Sequence, residues 1–177
     1  LNPLGDESSM LDTLLTTPVD GEEFVRARML SGLILGVPVV VVGNFIAEPF
    51  NPFSPLTSLV VTVFGVLLCL YTAALGVGIG SFAPRFQPVR SRTFDDVEVV
   101  RPTIVALLGY TFVSLLAAVL GLLVFGFPEV LGLLPYVGDL PTLWVRVGGA
   151  AVLVAVLGVV GYRSYVYAVE RFNRYTV

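Results

Sequence analysis

The stretch LTSLVVTVFGVLLCLYTAALGVGIGSF, residues 56–82, decides the fold class of this chain, because it contains no Asp, Glu, Lys or Arg along its whole length. The hydrocarbon core of a bilayer is about 30 Å thick, and an α-helix of roughly 20 apolar residues crosses it. The stretch is longer than this requirement. We therefore predict that residues 56–82 form a transmembrane helix.

Three further stretches have the same character and lie at about residues 29–47, 103–127 and 143–162. Arg146 is the only charged residue within them, and it lies within about a turn of the start of its span, where its side chain can reach the headgroups. The breaks between spans are rich in Pro, Asn, Asp and Gly, as loops are. The sequence predicts an all-α membrane protein with four transmembrane helices, with residues 29–177 as the transmembrane domain and residues 1–28 as a cytoplasmic segment.

The composition supports a membrane protein and excludes several classes of site. Apolar residues make up 56% of the chain and charged residues 13%, whereas a soluble domain has about 25% charged residues to keep its surface wet. The absence of His excludes histidine bases and haem ligation, and the single Cys69 excludes an internal disulfide or a cysteine zinc cluster. We expect no metal, no cofactor and, with a net charge of -3, no nucleic-acid partner.

The distribution of arginines predicts the orientation in the membrane. Two precede the first span, four lie between the second and third, and three follow the fourth: Arg26, Arg28, Arg85, Arg90, Arg92, Arg101, Arg163, Arg171 and Arg174. The loops at 48–55 and 128–142 contain acidic residues but no Lys or Arg. Because positively charged loops remain on the cytoplasmic side, we predict a multi-pass protein of the cell membrane with both termini in the cytoplasm.

Small and polar residues within the spans indicate packing positions and a candidate pathway. Glycines spaced four apart let helices approach closely, and the candidates are Gly32, Gly36, Gly76 and Gly80. Hydroxyl groups within the spans are candidates for lining a translocation path: Tyr71, Thr72, Tyr110, Thr111 and Ser114. The alternative is that these hydroxyls bond back to their own helices.

The cytoplasmic segment contains two predicted helix starts. Ser9 followed by Asp12 resembles a capping box before a short amphipathic helix, which Pro18 ends, since the residue before a proline avoids the α conformation. Asp20 is the predicted N-cap of a second helix that leads into the first span. The apolar face of the short helix and the acidic turn after it comprise Leu11, Leu14, Leu15, Glu22 and Glu23.

Two interpretations of this segment remain open. It is either an interfacial helix that lies on the headgroups, or a docking element for a soluble partner. Its acidic residues favour docking, because anionic headgroups repel them.

The run LLTTPVDGEEFVRARMLSGLI, residues 14–34, resembles the segment before a membrane span in permease subunits of type-2 ABC exporters. ALGVGIGSFAPRF at 74–86 is similar to the glycine-rich span of that family, and VVRPTIVALLGYTF at 99–112 to the start of its next helix. PEVLGLLPYVGDLP at 128–141 resembles the external re-entrant or interfacial helix before its last span. The family usually has six spans, so the resemblance implies that these four are its C-terminal portion.

The resemblance implies a function in ATP-driven export. Two permease copies would form the pathway as a dimer, and separate cytoplasmic ABC ATPase subunits would bind beneath them. Residues 9–17 would be the coupling helix, with Leu11, Leu14 and Leu15 in a groove of the ATPase and Thr17, Pro18 and the Asp20 cap at the elbow. The chain has no G-x-x-x-x-G-K-[ST] phosphate-binding loop, so we expect that it is not itself an enzyme.

A four-span scaffold or regulatory subunit without transport activity is the competing interpretation. It explains the spans and the arginines equally well, but it does not require two capped helices joined at a proline. A membrane-embedded enzyme and a secondary transporter are disfavoured, because no acidic pair or histidine lies within the spans.

Overall fold

The computed structural model describes residues 20–50, 53–82, 89–90, 98–99, 103–131, 133 and 141–174. Its elements, in chain order, are α1 (Gly21–Ala47), a 3-10 turn (Glu48–Phe50), α2 (Pro55–Phe82), β1 (Val89–Arg90), β2 (Glu98–Val99), α3 (Ile104–Phe125), α4 (Pro128–Leu131) and α5 (Thr142–Asn173). The two short strands pair antiparallel, with Val89 opposite Val99.

Four helices in the described part of the chain are long and apolar enough to cross a membrane: α1 with the turn that follows it, α2, α3 and α5. This confirms the prediction of an all-α architecture with four membrane-spanning helices, and the chain is accordingly a multi-pass membrane protein. Many of the large apolar side chains on these helices are exposed, Leu35 and Val39 among them. Lipid tails are the solvent for such side chains, so their exposure carries little penalty in a bilayer.

The bounds of α2 and α3 lie within two residues of the predicted spans. α2 begins one residue earlier than predicted, and α3 ends at Phe125, two residues before the predicted end. Thr103 caps α3, since its side-chain oxygen accepts a hydrogen bond of 3.3 Å from the backbone N–H of Ala106. α4 covers only the beginning of the predicted external helix, and residues 134–140 lie outside the described residues.

α1 and α5 both extend beyond the predicted spans at one end of the bundle. α1 begins at Gly21, in agreement with the predicted N-cap at Asp20. The Asp20 backbone is extended and its carbonyl accepts from Phe24 N, but its side chain makes no capping hydrogen bond. α5 continues from the predicted end at Tyr162 to Asn173. This extension stays helical because Ala168 and Phe172 are buried against the start of α1.

α2 is the central helix, since it packs against α1, α3 and α5. The larger apolar cluster lies along it and includes Phe64, Tyr71 and Leu75 from α2, Ala117 from α3 and Leu157 from α5. A second cluster lies where α1 begins and α5 ends. This second cluster also contains Val77 of α2, so α2 contributes to both clusters.

Candidate functional site

The first candidate site is the α1–α5 junction, which we define as Phe24 and Val25 of α1 packed on Ala168 and Phe172 of α5. The rings of Phe24 and Phe172 are stacked, with centroids 4.5 Å apart and planes inclined by 20°. Val25, Ala168 and Phe172 are each only 1% exposed. α1 begins directly after Asp20. This packing therefore holds the first turns of α1 against the end of α5.

Gly21 lets the first turn of α1 lie against the last turn of α5. A Cβ atom at this position would overlap the side-chain amide of Asn173 and would lie 3.1 Å from the carbonyl oxygen of Val169. An alanine at position 21 would displace the Asn173 side chain and crowd the Val169 carbonyl oxygen. Gly21 was not among the predicted packing glycines, although a glycine at the first position of a predicted helix was the available signal.

Polar contacts extend the junction at its surface. The Arg26 guanidinium forms an ion pair with Glu22 at 2.8 Å, and its Nε donates a hydrogen bond of 3.3 Å to the hydroxyl of Tyr165 on α5. The guanidinium of Arg28 lies 5.9 Å from the ring centroid of Phe24. The ion pair is mostly exposed, so solvent screens it and it contributes little to stability. Burial of the two phenylalanines therefore dominates the junction.

The predicted docking residues divide into two groups. Leu11, Leu14, Leu15, Thr17 and Pro18 lie outside the described residues. Asp20, Glu22 and Glu23 are exposed at the start of α1. The predicted docking segment precedes them in the sequence. The acidic first turn is favourable there, because the N-terminal end of a helix carries partial positive charge.

The second candidate site is a groove of 280 Å³ between α1, α2 and α5, which we call the three-helix groove. Its walls are almost entirely apolar, and it is open to one side. Residues from all three helices line the groove, among them Met29, Tyr71, Val154, Gly158, Tyr162 and Tyr165. Tyr71 is the single predicted pathway residue in this lining.

The other predicted pathway residues occupy different environments. Thr72 donates its hydroxyl to the backbone oxygen of Cys69 at 3.1 Å, which is the alternative considered for these positions. Tyr110 is half-buried and packs on the apolar cluster along α2. Thr111 is exposed, whereas the hydroxyl of Ser114 is buried and has no hydrogen-bond partner among the described residues.

The predicted packing glycines lie at helix contacts, but the closest approaches occur at other glycines. Gly36 faces Cys69, whose Sγ would be 3.3 Å from an added Cβ, and Gly32 faces Ala73 at 3.8 Å. Gly76 and Gly80 are buried in α2. Gly78, between them, is much tighter, since an added Cβ would lie 2.7 Å from the Cβ of Ser164. The glycine spacing in the sequence did not indicate which glycine of this part of α2 lies closest to α5.

The described residues provide apolar packing, hydrogen bonds and an ion pair at these sites. Among them, no group of three or more His, Cys, Asp or Glu is placed to hold a metal ion. Comparison of the chain with protein-family models, curated proteins and solved structures gives no match. The functional argument therefore rests on the residues of this chain and on their contacts.

Proposed function

We propose that the chain is a membrane permease subunit of an ATP-driven export system of the type-2 ABC class. In this proposal it forms the translocation path with a second copy and takes its energy from separate cytoplasmic ATPase subunits. The observation that carries the proposal is the α1–α5 junction, which holds the start of α1, directly after the segment resembling a coupling element, against α5.

A coupling segment requires a stiff connection to the spans that it moves. If the segment before Asp20 were attached only to α1, displacement of the segment would bend the first turns of that helix. The stacked rings of Phe24 and Phe172 and the close contact at Gly21 join α1 to α5 at this point. A push on the segment would therefore tilt α1 and α5 together, which is a rigid-body route to alternating access.

The docking surface in this proposal is the apolar face formed by Leu11, Leu14 and Leu15. ATP-driven closure of the ATPase subunits would move this face, while Pro18 and the start of α1 at Asp20 set the angle of the elbow. ATP hydrolysis belongs to the partner in this scheme, and the permease contributes the path. The cytoplasmic position of both termini is part of the same proposal.

Replacement of Leu14 by Asp tests the coupling role. Burial of a leucine side chain contributes about 1.5–3 kcal/mol, and Leu14→Asp would also place a charge in the partner's groove. We expect binding of the ATPase subunit to weaken at least about tenfold, since 1.4 kcal/mol corresponds to one decade. The measurements are the ATPase activity that co-purifies with the chain from its native membrane and the amount of membrane-inserted protein.

Leu59→Ala is the control, because Leu59 lies on the outer face of α2 and is 60% exposed. It should retain both the partner and the level of insertion. If Leu14→Asp keeps the partner at the wild-type level, the short helix is an interfacial anchor and the coupling role is wrong. If even the wild-type chain co-purifies with no ATPase, the scaffold interpretation replaces the permease.

A further inference from the structure

The three-helix groove has the length of one membrane leaflet. On α5 its lining runs from Val154 to Tyr165, which at 1.5 Å per helical residue is about 16 Å. Half of a bilayer hydrocarbon core is about 15 Å. Val154 lies near the middle of α5, and Tyr165 lies toward the end of α5 that packs on the start of α1. The groove therefore extends from about the middle of the membrane to one of its surfaces.

The walls of the groove suit a hydrocarbon chain. They are formed by aliphatic side chains and tyrosine rings, and a glycine at position 158 leaves part of the α5 wall without a side chain. A Cβ added at Gly158 would have no protein atom within 4 Å. Lipids are the molecules that surround apolar walls at membrane depth, and their chains provide the contacts that these walls lack.

An arginine side chain that is also paired with Glu22 lies at the surface end of the groove. Met29 and Tyr165 line the groove here, and Arg26, one turn before Met29, donates its Nε–H to the hydroxyl of Tyr165. The guanidinium is always protonated and has five N–H donors, more than its two contacts with Tyr165 and Glu22 use. Phosphate is the lipid group that guanidinium binds most strongly at this depth.

We propose that the three-helix groove binds a membrane phospholipid, with one acyl chain between α2 and α5 and the headgroup phosphate on Arg26. The lipid belongs to the leaflet on the side where α1 begins and α5 ends. This site does not depend on the export function, since a permease and a scaffold would hold the lipid in the same way.

The test of the acyl-chain site uses two glycines of α5 that share one property. An added Cβ atom meets no protein atom within 4 Å at either Gly158 or Gly148, but only Gly158 of these two lines the groove. The purified, delipidated variants Gly158→Leu and Gly148→Leu are titrated with dioleoylphosphatidylglycerol, and the one-lipid complex is counted by native mass spectrometry. We expect affinity to fall about tenfold or more for Gly158→Leu, a loss of 1.4 kcal/mol, and to stay at the wild-type value for Gly148→Leu.

The test of the headgroup compares Arg26→Gln with Arg174→Gln, an exposed arginine after the end of α5. Arg26→Gln should weaken phosphatidylglycerol about tenfold and leave dioleoylglycerol, which has no phosphate, unchanged. Arg174→Gln should change neither. Inorganic phosphate alone should not displace the lipid, because the acyl chain supplies much of the binding.

Three results would overturn the proposal. One is equal lipid affinity in Gly158→Leu and Gly148→Leu. Another is displacement of the lipid by inorganic phosphate, which would show a free-anion site. The third is loss of an oligomer in Gly158→Leu alone, which would show that a second copy of the chain fills the groove.

Discussion

Phe24, in the first turns of α1, stacks on Phe172, in the last turn of α5, with a centroid separation of 4.5 Å. The contact joins the first and the last long helix of the described residues, and both rings are buried. Val77 of the central helix α2 belongs to the same buried cluster. The stability of this end of the bundle therefore depends on a few aromatic and aliphatic contacts.

The stacked pair should behave as a coupled unit. Phe24→Ala and Phe172→Ala should each destabilise the fold by about 3 kcal/mol, the lower end of the range for a buried phenylalanine, because the site is near the bundle surface. The double variant should cost less than the sum by about 0.5–1.5 kcal/mol. Unfolding in mixed micelles measures all three values, and Phe45→Ala, whose ring is 79% exposed on α1, is the uncoupled control. Strict additivity of Phe24→Ala and Phe172→Ala would contradict the contact.

Alanine should have opposite effects at two glycines. At Gly78 an added Cβ would lie 2.7 Å from Ser164 Cβ and 2.9 Å from the Ser164 backbone oxygen, so Gly78→Ala should force α2 from α5 at a cost of about 1–3 kcal/mol. At Gly148 no atom lies within 4 Å, and Gly148→Ala should be neutral or stabilise the helix by up to about 1 kcal/mol. Thermal unfolding in detergent distinguishes the two, and a Gly78→Ala protein as stable as wild type would refute the close approach.

A polar contact joins α1 and α2 at the end away from the junction. The Asn44 side-chain amide donates a hydrogen bond of 3.1 Å to the hydroxyl of Ser58, which is only 5% exposed. Ser58→Ala should destabilise the bundle by about 0.6 kcal/mol, and by no more than about 1.7. The double variant Asn44→Leu with Ser58→Ala should cost less than the two single changes together. Thr111→Ala, at an exposed hydroxyl on α3, should leave the unfolding midpoint unchanged.

Cysteine labelling checks the predicted orientation. In a Cys69→Ser background, Ser54→Cys and Leu133→Cys should react with an impermeant maleimide in intact cells, because their loops lack arginine. Arg174→Cys should react only after the membrane is opened. All three positions are exposed, so burial within the protein cannot explain a difference. Labelling of position 174 from outside would reverse the orientation and remove the docking segment from the cytoplasm.

The sequence predicted the spans well where their limits depend on solvent alone. The start of α2 was predicted to within one residue, because charge-free length is what a bilayer requires and no tertiary contact is needed to read it. The start of α1 after Asp20 followed from local capping preference. Hydropathy falls after Tyr162, the end of the predicted span, while the helix α5 continues to Asn173.

The part of the candidate sites that the sequence missed consists of contacts between distant residues. Nothing local distinguishes Phe24 from the other aromatic residues, or Gly78 from its neighbours Gly76 and Gly80. Their roles follow from which residue of α5 lies opposite each of them, and four apolar helices can pack with many relative rotations at similar hydropathy. The amino-acid sequence alone determined that four segments are long and apolar enough to cross a membrane, because the apolar length of each segment is a local property. Only the tertiary structure decided that α1 packs against α5 and that an apolar groove lies beside α2, because helix packing is selected by the shapes of side chains that are far apart in the chain.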